Sequence, residues 1–216
     1  MKITGAIFDM DGVLFDTERI YQQIWQEIAA ARHIELDSSF PAAISGTNGA
    51  KMRGIVEDYY QVSDGTDIIE ECTEKVKEEL TRHIPMKKGV PEILDFLKEK
   101  KIPMAVASSS SLQQIESNLE KTDIRRYFAE IVSGRQVAHG KPAPDIFLYA
   151  AKRIGREPKE CLVFEDSKNG VRAGYEAGCM TIMVPDLIEP TPDIISCCFR
   201  ICTSLMEARW EIEAFM

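Results

Sequence analysis

From about residue 84 onward, short apolar runs of β type alternate with one-sided helical stripes. That alternation restricts the fold severely, because two parallel strands can be joined only by a crossover long enough to hold a helix. The expected strands are 102–107, 130–132, 161–164 and 180–184, and the expected helices lie near 91–100, 112–119, 145–154, 167–177 and 205–212. One further apolar run, residues 3–8, stands far from the others at the start of the chain. Between it and residue 84 only helical periodicity occurs. Asp16 and Thr17 suit a helix start, and Ile20, Tyr21, Ile24, Trp25, Ile28 and Ala29 then form an apolar stripe. Met52, Ile55, Val56, Tyr59 and Tyr60 repeat the pattern, and Ile68, Ile69, Cys72, Val76 and Leu80 repeat it again, so residues 17–82 are expected to be helical throughout. The fold class is therefore α/β: a doubly wound parallel-sheet (Rossmann-like) core of residues 1–15 and 84–216, interrupted after its first strand by an all-helical insertion, residues 16–83.

Charge and composition narrow the function. The chain has 216 residues, 44% hydrophobic and 28% charged, which is ample for a packed core. Its 26 Lys and Arg against 35 Asp and Glu leave a net charge of −9. A chain of that sign has no global attraction for phosphate backbones or anionic lipid, so no nucleic-acid partner and no membrane partner is expected. The first residues meet Asp9 before any apolar leader forms, and no apolar run approaches the roughly 20 residues that span a bilayer. The six cysteines show neither a paired metal spacing nor a disulfide framework and read as buried, reduced thiols. A cytoplasmic protein, monomeric by default, is the expectation.

Ligands of open parallel sheets bind beyond the carboxyl ends of the strands, so polar residues there carry the chemical signal. The first strand ends in Asp9-Met10-Asp11-Gly12, two acids that repel unless a cation or a proton stands between them. The second is followed by Ser108-Ser109-Ser110, whose hydroxyls and N–H groups suit an anion. Lys141 lies before two prolines, a compact cation for phosphate or carboxylate oxygens. The strand 161–164 ends in Glu165-Asp166. Taken singly, these are equally a turn, a helix cap, a solvated lysine and an acidic pair at a helix start. Taken together they set four acids against one lysine at the ends of one sheet, which calls for a hard divalent cation with oxygen ligands, Mg²⁺ fitting best.

In these motifs and their order the chain resembles the haloacid dehalogenase-like phosphohydrolases, in the helical-cap branch that includes β-phosphoglucomutase-like proteins. Asp9 to Val13 match the first family motif, Ser108 the second, Lys141 with Pro142 to Asp145 the third, and Glu165-Asp166 with Ser167 and Gly170 the fourth. The resemblance implies a Mg²⁺-dependent phosphotransferase in which Asp9 is the nucleophile and Asp11 the general acid and base. It implies metal binding by Asp9, Asp166 and the carbonyl of Asp11, with Glu165 in the outer shell. Ser108, Ser109 and Lys141 would hold the phosphoryl oxygens.

The inserted domain departs from sugar-phosphate mutases of this branch. Where those carry a His, a Lys and an Arg, this chain has Tyr21, Ser45 and Gly49. Fewer cations weaken the hold on a second phosphate, which favours hydrolysis of a small phosphorylated metabolite over mutation, although Lys51 or Arg53 offers a substitute contact. Tyr21, Ser45, Thr47 and Asn48 are the candidates for selecting the substrate. The insertion is expected to open and close over the core about hinges near residues 15–16 and 84–85. A sugar phosphomutase and a phospho-receiving regulatory module are the alternatives, the second disfavoured by the built-in acid and base Asp11.

Overall fold

A computed structural model describes residues 2–44, 47, 49–186 and 189–215. Its sheet has six parallel strands: β1 (Gly5–Phe8), β2 (Met104–Ser108), β3 (Phe128–Ser133), β4 (Cys161–Glu165), β5 (Met180–Met183) and β6 (Arg200–Ile201). The order across the sheet is β3-β2-β1-β4-β5-β6, so the chain reverses direction about β1, the switch point where such sheets bind ligands.

Every residue of β1, β2, β4 and β5 is buried, as near-continuous Val, Ile, Ala and Phe runs require when helices cover both faces. One face, with Ile7, Ala105, Ala107 and Val163, packs on Ile146, Phe147, Ala150 and Ala151 of the helix Asp145–Arg153 and on Ala173 of the helix Lys168–Glu176. Alternate residues face the other way, and there Phe8 stacks on Phe164 at 4.4 Å and meets Phe128 edge-on at 6.0 Å. The short edge strand β6 and the helix Pro192–Ile195 were not expected from sequence, since neither is long enough to display a period. The stretch that holds them includes Cys197 and Cys198, with Cys202 just after it, and all six cysteines of the chain are free: Cys72, Cys161 and Cys202 buried, Cys179, Cys197 and Cys198 half-buried.

The chain forms two compact units, Met1–Phe15 with Met86–Met216, and Asp16–Pro85. Ile84 and Pro85 fall in the helical unit, where the Pro85 carbonyl accepts the Asp16 N–H at 2.9 Å. In the core unit, Lys87 N–H donates to the Leu14 carbonyl at 3.0 Å and Phe15 bridges Met86.

The helical unit is not helical throughout. Its helices are Thr17–Ala31, Phe40–Ile44, Gly49–Tyr60 and Thr66–Arg82. His33 (φ +58°) and Gln61 (φ +55°) take left-handed conformations just after two of them, terminations that no glycine announces. The expected stripes converge on one core, in which Trp25 meets Phe40 at 5.9 Å and Tyr60 at 6.2 Å, while the Tyr60 hydroxyl donates to the Trp25 carbonyl at 2.7 Å. No helix among the described residues is long and apolar enough to cross a membrane.

Candidate active site

Parallel register brings three strand ends together. Phe8 of β1 stands opposite Val106 of β2 and Phe164 of β4, so the residues that follow emerge side by side. Asp9 comes first after β1, held by its N–H to the Phe164 carbonyl at 3.0 Å; Ser108 and Glu165 close β2 and β4. After Asp9 the chain turns tightly, Leu14 and Phe15 both donating N–H groups to the Met10 carbonyl, at 2.9 and 3.1 Å. This turn projects Asp11 and sets Gly12 at φ +82°.

Lys141 arrives from the loop before the helix Asp145–Arg153, through a cis bond to Pro142. Its ammonium donates to Asp9 Oδ1, to Glu165 Oε1 at 2.5 Å and to the Ala107 carbonyl at 3.3 Å, and lies 5.0 Å from the Phe147 ring centre. The side chains of this triad are 8% (Lys141), 10% (Asp9) and 1% (Glu165) exposed, so their charges face each other and hardly face water. The second oxygen of Glu165 accepts the N–H groups of Asp166 and Ser167 at 3.0 Å each and the Ser167 hydroxyl at 2.9 Å. Ser167 caps the next helix by accepting the Gly170 N–H at 3.0 Å.

Two glycines make room for the acids. A Cβ on Gly170 would stand 1.7 Å from Glu165 Oε1, and one on Gly12 would stand 2.3 Å from Asp166 Oδ2. Gly170→Ala is expected to displace Glu165 and cost about 1–3 kcal/mol of stability, with a matching loss of activity. Denaturant unfolding checks this, and an unshifted midpoint would contradict the packing.

The serine loop is held from β3. Ser110 N–H donates to Ser108 Oγ at 3.1 Å, the Ser133 hydroxyl donates to the Ser110 carbonyl at 2.6 Å, and the Ser110 hydroxyl donates to Asp11 Oδ2 at 3.2 Å. Ser109 is exposed, and a Cβ on Gly134 would lie 3.3 Å from its Cα. Within the serine run, the hydroxyl that meets Asp11 belongs to Ser110, which the sequence does not single out, whereas the expected Ser109 is exposed. The spacing alone could not tell which hydroxyl turns toward Asp11.

The acids outnumber the cation, and burial makes their charged forms costly. Burial raises the Asp9 carboxyl to about 7, Lys141 opposing and Glu165 and Asp11 reinforcing the rise. Asp166 is raised well above its usual range by burial and by Glu165 and Asp9. Burial alone would lower Lys141, yet Asp9 and Glu165 together raise it, so it stays charged. An Asp raised in the folded state binds its proton more tightly there than in the unfolded chain, so its stabilising effect is complete below about pH 4 and is lost as pH rises through about 7. In chelator, the melting temperature should therefore fall between pH 5 and pH 8, on the order of 5 °C. A flat or rising profile would contradict this charge balance.

The remaining candidates lie in the helical unit. Tyr21 is half-buried on the helix Thr17–Ala31 and packs on that unit's core. Thr47 donates its hydroxyl to the Ile44 carbonyl at 2.6 Å, a turn contact. Ser45 and Asn48 lie outside the described residues. Lys51 is exposed, and Arg53 approaches Glu57 at 3.8 Å. In the core unit, His139 Nδ1 stands 3.0 Å from Asp145 Oδ1 beside the lysine loop.

Residues 6–184 match the family of haloacid dehalogenase-like hydrolases. The chain is 34% identical over 178 residues to a phosphorylated carbohydrates phosphatase of Thermotoga maritima, covering 81% of each chain. It is 32% identical over 180 residues to a fructose-1-phosphate phosphatase of Escherichia coli, covering 82% of this chain and 94% of that one. A solved haloacid dehalogenase family hydrolase from Deinococcus radiodurans, with bound phosphate and sodium, superposes with a TM-score of 0.85 at 25% identity, covering 98% of this chain and 96% of that one. A β-phosphoglucomutase from Clostridium difficile shares the fold, with a TM-score of 0.71 at 21% identity over 99% of this chain and 96% of that one. The chain belongs to the haloacid dehalogenase-like hydrolase family, an enzyme that stands there among phosphatases of small phosphorylated compounds.

Proposed function

We propose that the chain is a Mg²⁺-dependent phosphomonoesterase that hydrolyses a small phosphorylated metabolite, a sugar phosphate first, through an aspartyl phosphate on Asp9. The observation that carries this reading is the buried Asp9–Lys141–Glu165 chain at the switch point of the sheet, with Asp11, Ser108 and Asp166 around it. An Asp9 oxygen attacks phosphorus in line, the ester P–O bond breaks, and Asp11 gives its proton to the leaving oxygen. Water then attacks the aspartyl phosphate and yields its proton to Asp11, which frees phosphate and restores the Asp9 carboxylate. Lys141 and Ser108 hold phosphoryl oxygens where negative charge gathers, and Glu165 fixes the ammonium.

Two observations support a divalent cation beside Asp9 and Asp166. Both carboxyls are raised, first by burial and further by the acids beside them, and the missing Cβ of Gly12 leaves the Asp166 carboxylate room against the Asp11–Gly12 backbone. Among the described residues no three His, Cys, Asp or Glu side chains gather into a metal cage. Mg²⁺ does not need one, since it takes one or two carboxylates and fills the rest with carbonyl, water and phosphate oxygens. Asp9, Asp166 and the Asp11 carbonyl are the assigned holders. Bound there, the ion would neutralise charge on the transferring phosphoryl group.

We read the segments near 15–16 and 84–85 as hinges for the helical unit, Tyr21 and Thr47 as contributors to substrate choice, and the free thiols as fitting a reducing cytoplasm. A panel of phosphorylated sugars, nucleotides and small acids, assayed with Mg²⁺ and with chelator, tests the proposal. Phosphate release from at least one small monophosphate, lost in chelator, is expected. Conversion of a sugar 1-phosphate to its 6-phosphate faster than phosphate release would favour a mutase, and a long-lived phosphoprotein without turnover would favour a regulatory module.

A further inference from the structure

We infer that Ser110 is a positioning residue that holds the carboxyl of Asp11 in line with the leaving oxygen, and that Ser133 holds Ser110. The inference rests on the proposed acid and base role of Asp11 and adds a control over it. Asp11 stands on the turn after β1, whereas Ser110 comes from the loop after β2, so their contact ties two separate strand ends. The hydroxyl of Ser110 lies 3.2 Å from Asp11 Oδ2.

Ser110 itself has little freedom. Its N–H is given to Ser108 Oγ at 3.1 Å, and its carbonyl receives the Ser133 hydroxyl at 2.6 Å. Ser133 is fully buried at the end of β3; its N–H goes to Gln136 Oε1 at 2.9 Å, and its hydroxyl accepts the Arg135 N–H at 3.2 Å. A hydrogen-bonded path thus runs from the buried edge of β3 to Asp11. Ser111, the next residue, spends its hydroxyl capping the following helix through the Gln114 N–H at 3.3 Å, so the adjacent serines have different tasks. A proton donor on a turn has rotamers to choose from, and one donated hydrogen bond selects the rotamer that faces the ester.

Leaving groups separate this role from phosphate binding. An alkyl alcohol must be protonated as its bond to phosphorus breaks, whereas nitrophenolate leaves without help, and kcat/KM reports that step in both cases. Ser110→Ala is expected to lower kcat/KM about tenfold on an alkyl monophosphate and less than about twofold on p-nitrophenyl phosphate, the size of one orienting hydrogen bond. Ser110→Thr, which keeps the hydroxyl, should restore the alkyl rate, and Ser133→Ala should give the same split at smaller amplitude. Equal losses on both substrates would place Ser110 on the phosphoryl group or in the fold, and would overturn the inference. Asp11→Asn sets the scale, with an expected split of about 10²-fold or more. A split in Asp11→Asn with none in Ser110→Ala overturns this inference alone, and no split in Asp11→Asn overturns the acid and base reading as well.

Discussion

Asp9→Asn is expected to abolish phosphate release, by about 10⁴-fold or more, without unfolding the protein. The amide has the shape of the carboxylate but carries no charge and cannot form the acyl phosphate, so the displacement loses its nucleophile outright. Stability should hold. Asp9 is one of several acids crowded at the strand ends and is raised mainly by its burial, so a neutral side chain is tolerated there, and Glu165 remains within 2.5 Å of the Lys141 ammonium as its partner. The measurement is steady-state phosphate release with Mg²⁺, together with mass spectrometry of acid-quenched enzyme, which should show a phosphoryl group on Asp9 in wild type and none in the variant. Turnover by Asp9→Asn at a tenth of the wild-type rate would remove the mechanism.

Lys141→Met is expected to damage both activity and fold. Methionine preserves the apolar stem over Phe147 but removes the ammonium that Asp9, Glu165 and the Ala107 carbonyl share. Two acids with side chains 10% and 1% exposed are then left without their cation. Breaking a buried pair from one side costs about 3–5 kcal/mol, partly recovered when one acid takes up a proton. The unfolding midpoint should therefore fall clearly at pH 8 and less at pH 5, where protonation relieves the repulsion. Activity should fall about 10²–10³-fold, the usual loss on removing one donor to a developing negative charge. A variant as stable as wild type at pH 8 would mean that the ammonium is not what holds these acids together.

Legibility in the sequence followed length and repetition. The strands 161–164 and 180–184 read nearly true because buried parallel strands are unbroken apolar runs, while β6, two residues long, offered nothing periodic. The helical unit gave its stripes but not its breaks, since His33 and Gln61 turn left-handed where tertiary packing demands it and carry no glycine as a marker. At the site, residue types at strand ends and in the loop before residue 145 singled out Asp9, Asp11, Ser108, Lys141, Glu165 and Asp166 as candidates. Chain spacing could not say that Lys141 would bridge Asp9 and Glu165, residues 132 and 24 positions away, nor that Ser110 would be the hydroxyl on Asp11.

The sequence by itself determined a parallel α/β core with a helical insertion, and a set of oxygen-bearing and cationic groups at its strand ends, because alternation and residue chemistry are local properties that survive in one dimension. Only the tertiary structure decided which of those groups meet. Register between β1, β2 and β4, and the missing Cβ atoms of Gly12 and Gly170, fix contacts between residues far apart in the chain, and proximity in a folded sheet depends on strand order, which no local pattern records.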